Sequence, residues 1–240
     1  MNYCILNGKK STLVKGLLIQ SLSPITKPKI RTRIEEIDGR DGDIVTKLGY
    51  SAYDKEMSIG LFGDYDISEV MQYFDSEGEV IFSNELDKKY RYQIIDQIDY
   101  ERLGIFRTAR VRFHVQPFKY PSVVDSLEII DSANREKSVK LTNYGNVYSK
   151  PIICIYHCPN NFVLSLNGKT ITISYGNNKD IVIDVENMNA YYLSDGTYAN
   201  KYVSGDYLDF ILKPNGLEGN TLTWTGTCTK MVISNMTRWI

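Results

Sequence analysis

The chain has 240 residues, with 28 Lys and Arg against 29 Asp and Glu, a formal net charge of −1. That balance excludes a nucleic-acid binder held by bulk positive charge, and equally a strongly acidic tail. With 42% hydrophobic and 24% charged residues, the composition is that of a globular protein of one large or two small domains, without any run of about 18 apolar residues that could span a bilayer.

The N-terminal run Met1 to Lys9 is polar by its seventh residue and has no apolar signal core, so synthesis and folding in a reducing cytoplasm are expected. Lys29 to Ile37 alternates, with Ile30, Thr32 and Ile34 on one face and Arg31, Arg33 and Glu35 on the other, which predicts a strand. Asp38-Gly39-Arg40-Asp41-Gly42-Asp43 follows as a turn-forming loop. Its carboxylates do not make a calcium loop: counted from Asp38, position 3 is Arg40 and position 12 is Gly49. Lys55 to Phe62 predicts a strand with Met57, Ile59 and Leu61 on one face. One helix stands out at 66–75, where Ile67, Val70, Met71 and Phe74 share a stripe and Asp66 and Glu69 have capping-box spacing. A stripe one face wide should lie against a sheet.

Lys88 to Asp99 and Ile105 to Gln116, joined through Tyr100–Gly104, predict a long hairpin over 88–116. Ala109, Val111, Phe113 and Val115 alternate there with Thr108, Arg110, Arg112 and His114. At twice the usual strand length it should reach beyond its own domain; an ordinary hairpin with an arginine-lined solvent face is the competing reading. Pro117 and Pro121, which should stop any ladder, predict a boundary between domains at 1–120 and 121–240.

Beyond it the period is purely β. Phe162–Leu166, Asn167-Gly168 and Lys169–Ser174 predict a hairpin on a type I′ turn, and further strands are expected at 181–185, 221–225 and 230–234, the pattern of a two-sheet sandwich. Trp224, in phase with Leu222, belongs in the core, while Trp239 could tack down the C-terminus or face a partner. Cys154 and Cys158 lie four apart in a predicted strand, hence on one face but about 13 Å apart. Zinc–sulfur bonds are about 2.3 Å, so the pair is read, with Cys4 and Cys228, as buried thiols rather than a metal site. No nucleophile elbow, zinc-protease helix, phosphate loop or dinucleotide fingerprint occurs, so no catalytic residue, cofactor or metal is expected.

The order of parts resembles the distal tail (Dit) proteins of long-tailed phages infecting Gram-positive bacteria. The resemblance rests on the Gly39-Arg40-Asp41-Gly42 loop, the helix at Asp66–Phe74 and Tyr90-Arg91-Tyr92. It continues through Leu141-Thr-Asn-Tyr-Gly145, Lys150-Pro151-Ile-Ile, Ile181-Val-Ile-Asp184, Gly219-Asn220-Thr-Leu-Thr-Trp224-Thr-Gly226 and Arg238-Trp239-Ile240. Pro214 to Asn220 is longer than the family's compact turn, and the second domain lacks the large insertions some members carry. The resemblance implies a mainly β chain: a sandwich-like first domain with one helix and a belt hairpin, then a galectin-like sandwich. It implies a structural, non-enzymatic role at the virion tail tip, as a hexameric ring around a DNA channel. Its partners would be the tail tube protein, a tail-associated lysin or fibre protein, and receptor-binding proteins. No membrane insertion or sequence-specific nucleic-acid contact is implied. Subunit-interface residues are expected at Arg40, Asp41, Tyr90, Arg91, Tyr92, Arg107, Arg110 and Arg112. A carbohydrate-binding or receptor-binding component recognising wall polysaccharide is the alternative, suggested by 18 tyrosines against 8 Phe and 2 Trp and by the predicted sandwich.

Overall fold

The computed structural model describes residues 1–214 and 219–240; the part of the Pro214–Asn220 loop at 215–218 lies outside the described residues. The chain is mainly β and divides into two compact units, Met1–Ser122 with Ile240, and Val123–Trp239.

The first unit holds β1 (Cys4–Leu6), β2 (Lys9–Lys10), β3 (Leu17–Ser21), β4 (Ile30–Glu36), β5 (Asp43–Tyr50), β6 (Tyr53–Leu61), α1 (Ile67–Phe74), β7 (Glu77–Phe82), β8 (Lys88–Gln93), α2 (Tyr100–Phe106) and β9 (Thr108–Pro121). Seven strands form one antiparallel sheet in the order β2-β1-β7-β8-β9-β6-β3, curled into a half-barrel. The curl lets a single sheet enclose a core: Met57, Ile59, Phe82, Val111 and Phe113 point inward, joined by Val70 and Phe74 of α1 and Leu103 of α2. Asp66 caps α1, its Oδ1 accepting from Ser68 N at 2.9 Å and Glu69 N at 3.3 Å.

Two expectations are corrected here. The segment Tyr100–Gly104 is not a hairpin turn but part of a second helix, α2, capped by Asp99, whose Oδ1 accepts from Arg102 N at 2.8 Å. Only Leu103 of this helix is buried, so no apolar stripe announces it. Accordingly β8 ends at Gln93, and 88–116 is not one continuous hairpin. Second, the prolines do not stop the ladder. β9 runs from Thr108 through Pro117 to Pro121, pairing Tyr92 with Val115 and Tyr90 with Lys119 across a register shift. That irregularity absorbs Pro117, which has no N–H to offer, and Pro121 is the last residue of the strand.

The second unit holds β10 (Ser126–Ile130), β11 (Ser138–Leu141), β12 (Ile152–Cys158), β13 (Phe162–Leu166), β14 (Lys169–Ile173), β15 (Lys179–Asp184), β16 (Asn189–Tyr192), β17 (Val203–Gly205), β18 (Asn220–Thr225) and β19 (Lys230–Ser234). They form two five-stranded sheets, β10-β19-β12-β15-β16 and β11-β18-β13-β14-β17, around one core that includes Ile153, Ile155, Leu164, Leu166, Leu222 and Trp224. Asn167 and Gly168 both have positive φ, 52° and 84°, as the type I′ hairpin turn requires. Cys154 and Cys158 do not share a face. A bulge between Ile155 and Cys158, with His157 at φ 53°, turns Cys158 into the core beside the inward Ile153 and Ile155. Burial pushes its thiol up to about 12 and that of Cys228 up to about 11.

The second-half motifs are buried polar ties. Asn143 donates through Nδ2 to the carbonyls of Val147 (2.8 Å) and Leu212 (3.2 Å), and its Oδ1 accepts from Gly145 N at 2.8 Å. Asn220 bridges Lys213 N at 2.7 Å and the Leu141 carbonyl at 3.4 Å. Arg238, 2% exposed, donates to the Tyr148 carbonyl and to Glu186 Oε1, both at 2.9 Å.

Candidate assembly surface

The two strands β4 and β5 pair with each other and with no other described strand. Ile34 faces Val45 and Ile30 faces Tyr50 across the pair, giving one face an apolar stripe. Ile34, Val45 and Leu48 are 58%, 60% and 58% exposed. The loop that joins the strands carries Arg40 and Asp41 at its tip. From Glu35 to Asp43 there are five carboxylates and one guanidinium, and every residue of that stretch is exposed.

The base of this hairpin is fastened to the half-barrel. Ser51 N closes the hairpin's own base by donating to the Lys29 carbonyl at 2.8 Å, and the Tyr50 ring ties it to β9 by meeting Phe118 edge-on with centroids 5.5 Å apart. Lys55, 2% exposed, donates to the Pro24 carbonyl at 3.0 Å, holding the segment that leads into β4. Around it lies a buried charge cluster: Lys119 Nζ is 2.9 Å and Lys88 Nζ 3.3 Å from Glu85 Oε1, and the Tyr90 hydroxyl donates to Glu85 Oε2. Desolvation, with Lys119 adding repulsion, lowers the Lys55 ammonium to about 8 against the attraction of Glu85. Burial alone would raise the Glu85 carboxyl, but Tyr90, Lys119 and Lys88 together hold it below its ordinary value.

The expected interface residues fall in three places. Arg40 and Asp41 sit at the hairpin tip. Arg110 and Arg112 stand on the outer face of β9, where Arg110 meets Glu56 at 3.1 Å and Arg112 meets Asp96 at 2.9 Å. Arg107 ends α2 in the left-handed conformation, φ 56°, with its guanidinium 5.3 Å from the Tyr65 ring centroid. Arg91 covers the Tyr120 ring at 4.5 Å. Tyr90 and Tyr92 are core residues, 1% and 3% exposed, with their rings against Phe82 and Phe113. In this protomer they present no surface to a neighbour, because the curl turns their face inward. Near Arg110 the structure adds Arg102 of α2. Both line a cavity of about 620 Å³ with Ser58, Gln97, Asp99 and Thr108. Ile34, Val45, Leu48 and Arg102 were not among the expected residues. The alternation of β4 and the Asp-Gly turn signalled a hairpin, but nothing local told that its faces stay uncovered.

No family model matches the sequence, and no curated protein matches it by sequence. By structure the chain has the fold of phage tail hub and baseplate proteins. It is similar to the Dit protein of phage SPP1, described as a paradigm of the hub adsorption apparatus in Gram-positive-infecting phages. The TM-score is 0.66 at 18% identity, over 100% of both chains. The activated baseplate of phage P2 matches with TM-score 0.51 and 11% identity for the calcium form, over 100% of this chain and 98% of that one. The strontium form gives 0.50 and 10%, over 97% and 98%.

Proposed function

We propose that this chain is a phage distal tail protein, a non-enzymatic hub of the virion tail tip. Six copies close into a ring around a channel for DNA, joining the tail tube to a tail-associated lysin or fibre protein, with room for receptor-binding proteins. The ring contact is made by the first unit, and β4–β5, rather than residues 88–116, is the belt laid on the next copy. The second unit is a galectin-like sandwich. The observation that carries the assembly reading is the uncovered hairpin. A lone two-stranded hairpin is marginal in water, and exposed Ile34, Val45 and Leu48 on it mark a surface made to be covered. A closed ring needs such a head-to-tail contact between unlike patches. Light scattering of the full chain over a range of concentrations tests this. The expected mass is that of six protomers, and replacing residues 31–49 by a short Gly-Ser link leaves a folded monomer. A wild-type chain that stays monomeric throughout, and is missing from tail tips in virion images, defeats the proposal.

One observation favours sugar binding as a second reading. On the second unit Tyr175, 42% exposed, stands 5.1 Å from the Tyr202 ring, with Lys201 Nζ 4.7 Å from that ring's centroid. Aromatic faces beside ammoniums suit anionic wall glycans. Loss of wall-polysaccharide retention in Tyr175→Ala supports it; wild-type silence on a glycan array removes it.

A further inference from the structure

Resting on the assembly reading, we propose that the acidic tip of β4–β5 in one copy seats in the arginine-flanked cavity beside α2 of a second copy. Glu35 is paired with Arg33 at 2.7 Å, and beyond it the hairpin end offers Glu36, Asp38, Asp41 and Asp43 against Arg40. The cavity offers Arg102 and Arg110 as cations and Gln97, Ser58 and Thr108 as neutral partners. Its one carboxylate, Asp99, is engaged at the helix start with Arg102 N. Among the described residues Arg110 is held by an exposed pair with Glu56, their side chains 77% and 42% exposed. Such a solvent-screened pair is weak and can be exchanged for a carboxylate from outside. Planar guanidiniums are suited to that exchange because they bind carboxylates through two parallel hydrogen bonds.

The apolar groups follow the same order on both surfaces. On the hairpin, Ile34 and Val45 lie next to the acidic end. On the receiving side, Ile105, Phe106 and Phe62 are 66%, 68% and 70% exposed. They lie beside Arg107, whose carbonyl accepts from Leu61 N at 3.1 Å. Ile105 and Phe106 share a cleft with Arg102, Asp99 and Glu101, so the apolar stretch beside the acidic hairpin end meets an apolar stretch flanked by Arg102 and Arg107. Within one copy β4 and β5 pair with no other described strand, so a second copy is the occupant that supplies this complement. Donor and acceptor are different patches, so the contact is head-to-tail, the kind from which a closed ring is built.

The test is a charge swap in the full-length chain. Asp38→Lys with Asp41→Lys, and separately Arg102→Glu with Arg110→Glu, should each raise the dissociation constant of assembly at least tenfold, with circular dichroism melts of the protomer unchanged. The chain carrying all four changes should recover most of the loss, and wild-type assembly should weaken with added salt. In a second measurement, Arg40→Cys chains mixed with Arg102→Cys chains should form a covalent dimer on mild oxidation that neither forms alone. If wild type assembles but the charge variants assemble equally well, or the combined chain recovers nothing, or no mixed dimer appears, this docking is overturned while the ring stands. A wild type that never assembles in solution and is missing from tail tips overturns the assembly reading and this docking with it.

Discussion

The Trp224 indole N–H donates to the Asp131 carboxylate at 2.6 Å inside the second unit, and Asp131 is 1% exposed. The same carboxylate accepts from Cys228 N at 3.2 Å and from Lys137 Nζ. It therefore ties the turn after β10 to both sheets, through Trp224 on β18 and the approach to β19.

Asp131→Ala leaves buried donors unmade, each costing about 1–3 kcal/mol. The variant should lose roughly 3 kcal/mol in urea unfolding followed by tryptophan fluorescence. Trp224→Phe, which removes a donor but leaves the other two, should lose less. Equal losses in the two variants would contradict the shared-acceptor account.

Gly145 lies where a Cβ would come within 1.8 Å of the Arg238 carbonyl oxygen. Gly145→Ala must displace backbone next to Arg238, an overpacking cost of about 3 kcal/mol or more. The expected outcome is a lowered melting temperature, with protease cleavage of the C-terminal segment ahead of global unfolding. Unchanged melting would show that the close approach can relax freely.

The Lys55 ammonium titrates near 8 in the folded state against an ordinary 10.5. Between those values the unfolded chain binds more protons, so this group makes stability rise with pH across that window. Its burial is a cost that is full below about pH 8 and is relieved above it. Lys55→Met should flatten the rise in urea midpoint between pH 8 and 10. Glu85 acts with the same sign on the acid side, because its folded value is also lowered. Its depressed carboxyl stabilises above its ordinary 4.5, and that contribution is lost as pH falls through its lower folded value. Identical alkaline slopes in wild type and Lys55→Met would refute the Lys55 assignment.

Ile34→Ser with Val45→Ser removes two side chains that the belt reading buries on assembly. Full burial of each contributes about 1.5–3 kcal/mol, so the double variant should assemble at least tenfold more weakly. The protomer itself should melt within a degree or two of wild type, because both side chains are already wet in it. A protomer that unfolds instead would show that the stripe serves the fold of one copy.

Elements whose causes lie within a few residues were readable from the sequence. α1 has its cap at Asp66 and its stripe in one run, and the β13–β14 turn is written in Asn167-Gly168. α2 was not readable, because Leu103 is its only buried residue and Gly104 mimics a turn. Of the candidate site, Arg40, Asp41, Arg107, Arg110 and Arg112 are placed where a partner could reach them. Tyr90 and Tyr92 are not: alternation puts them on one face of β8 without telling which face the curled sheet encloses.

Local chemistry by itself determined that this protein would be mainly β, with its hairpin turns and its first helix, since hydrogen bonding and side-chain period act over a few residues. Tertiary structure alone decided which hairpin goes uncovered and which tyrosines are sealed. Burial is set by what lies across the sheet, and those neighbours are distant in the chain.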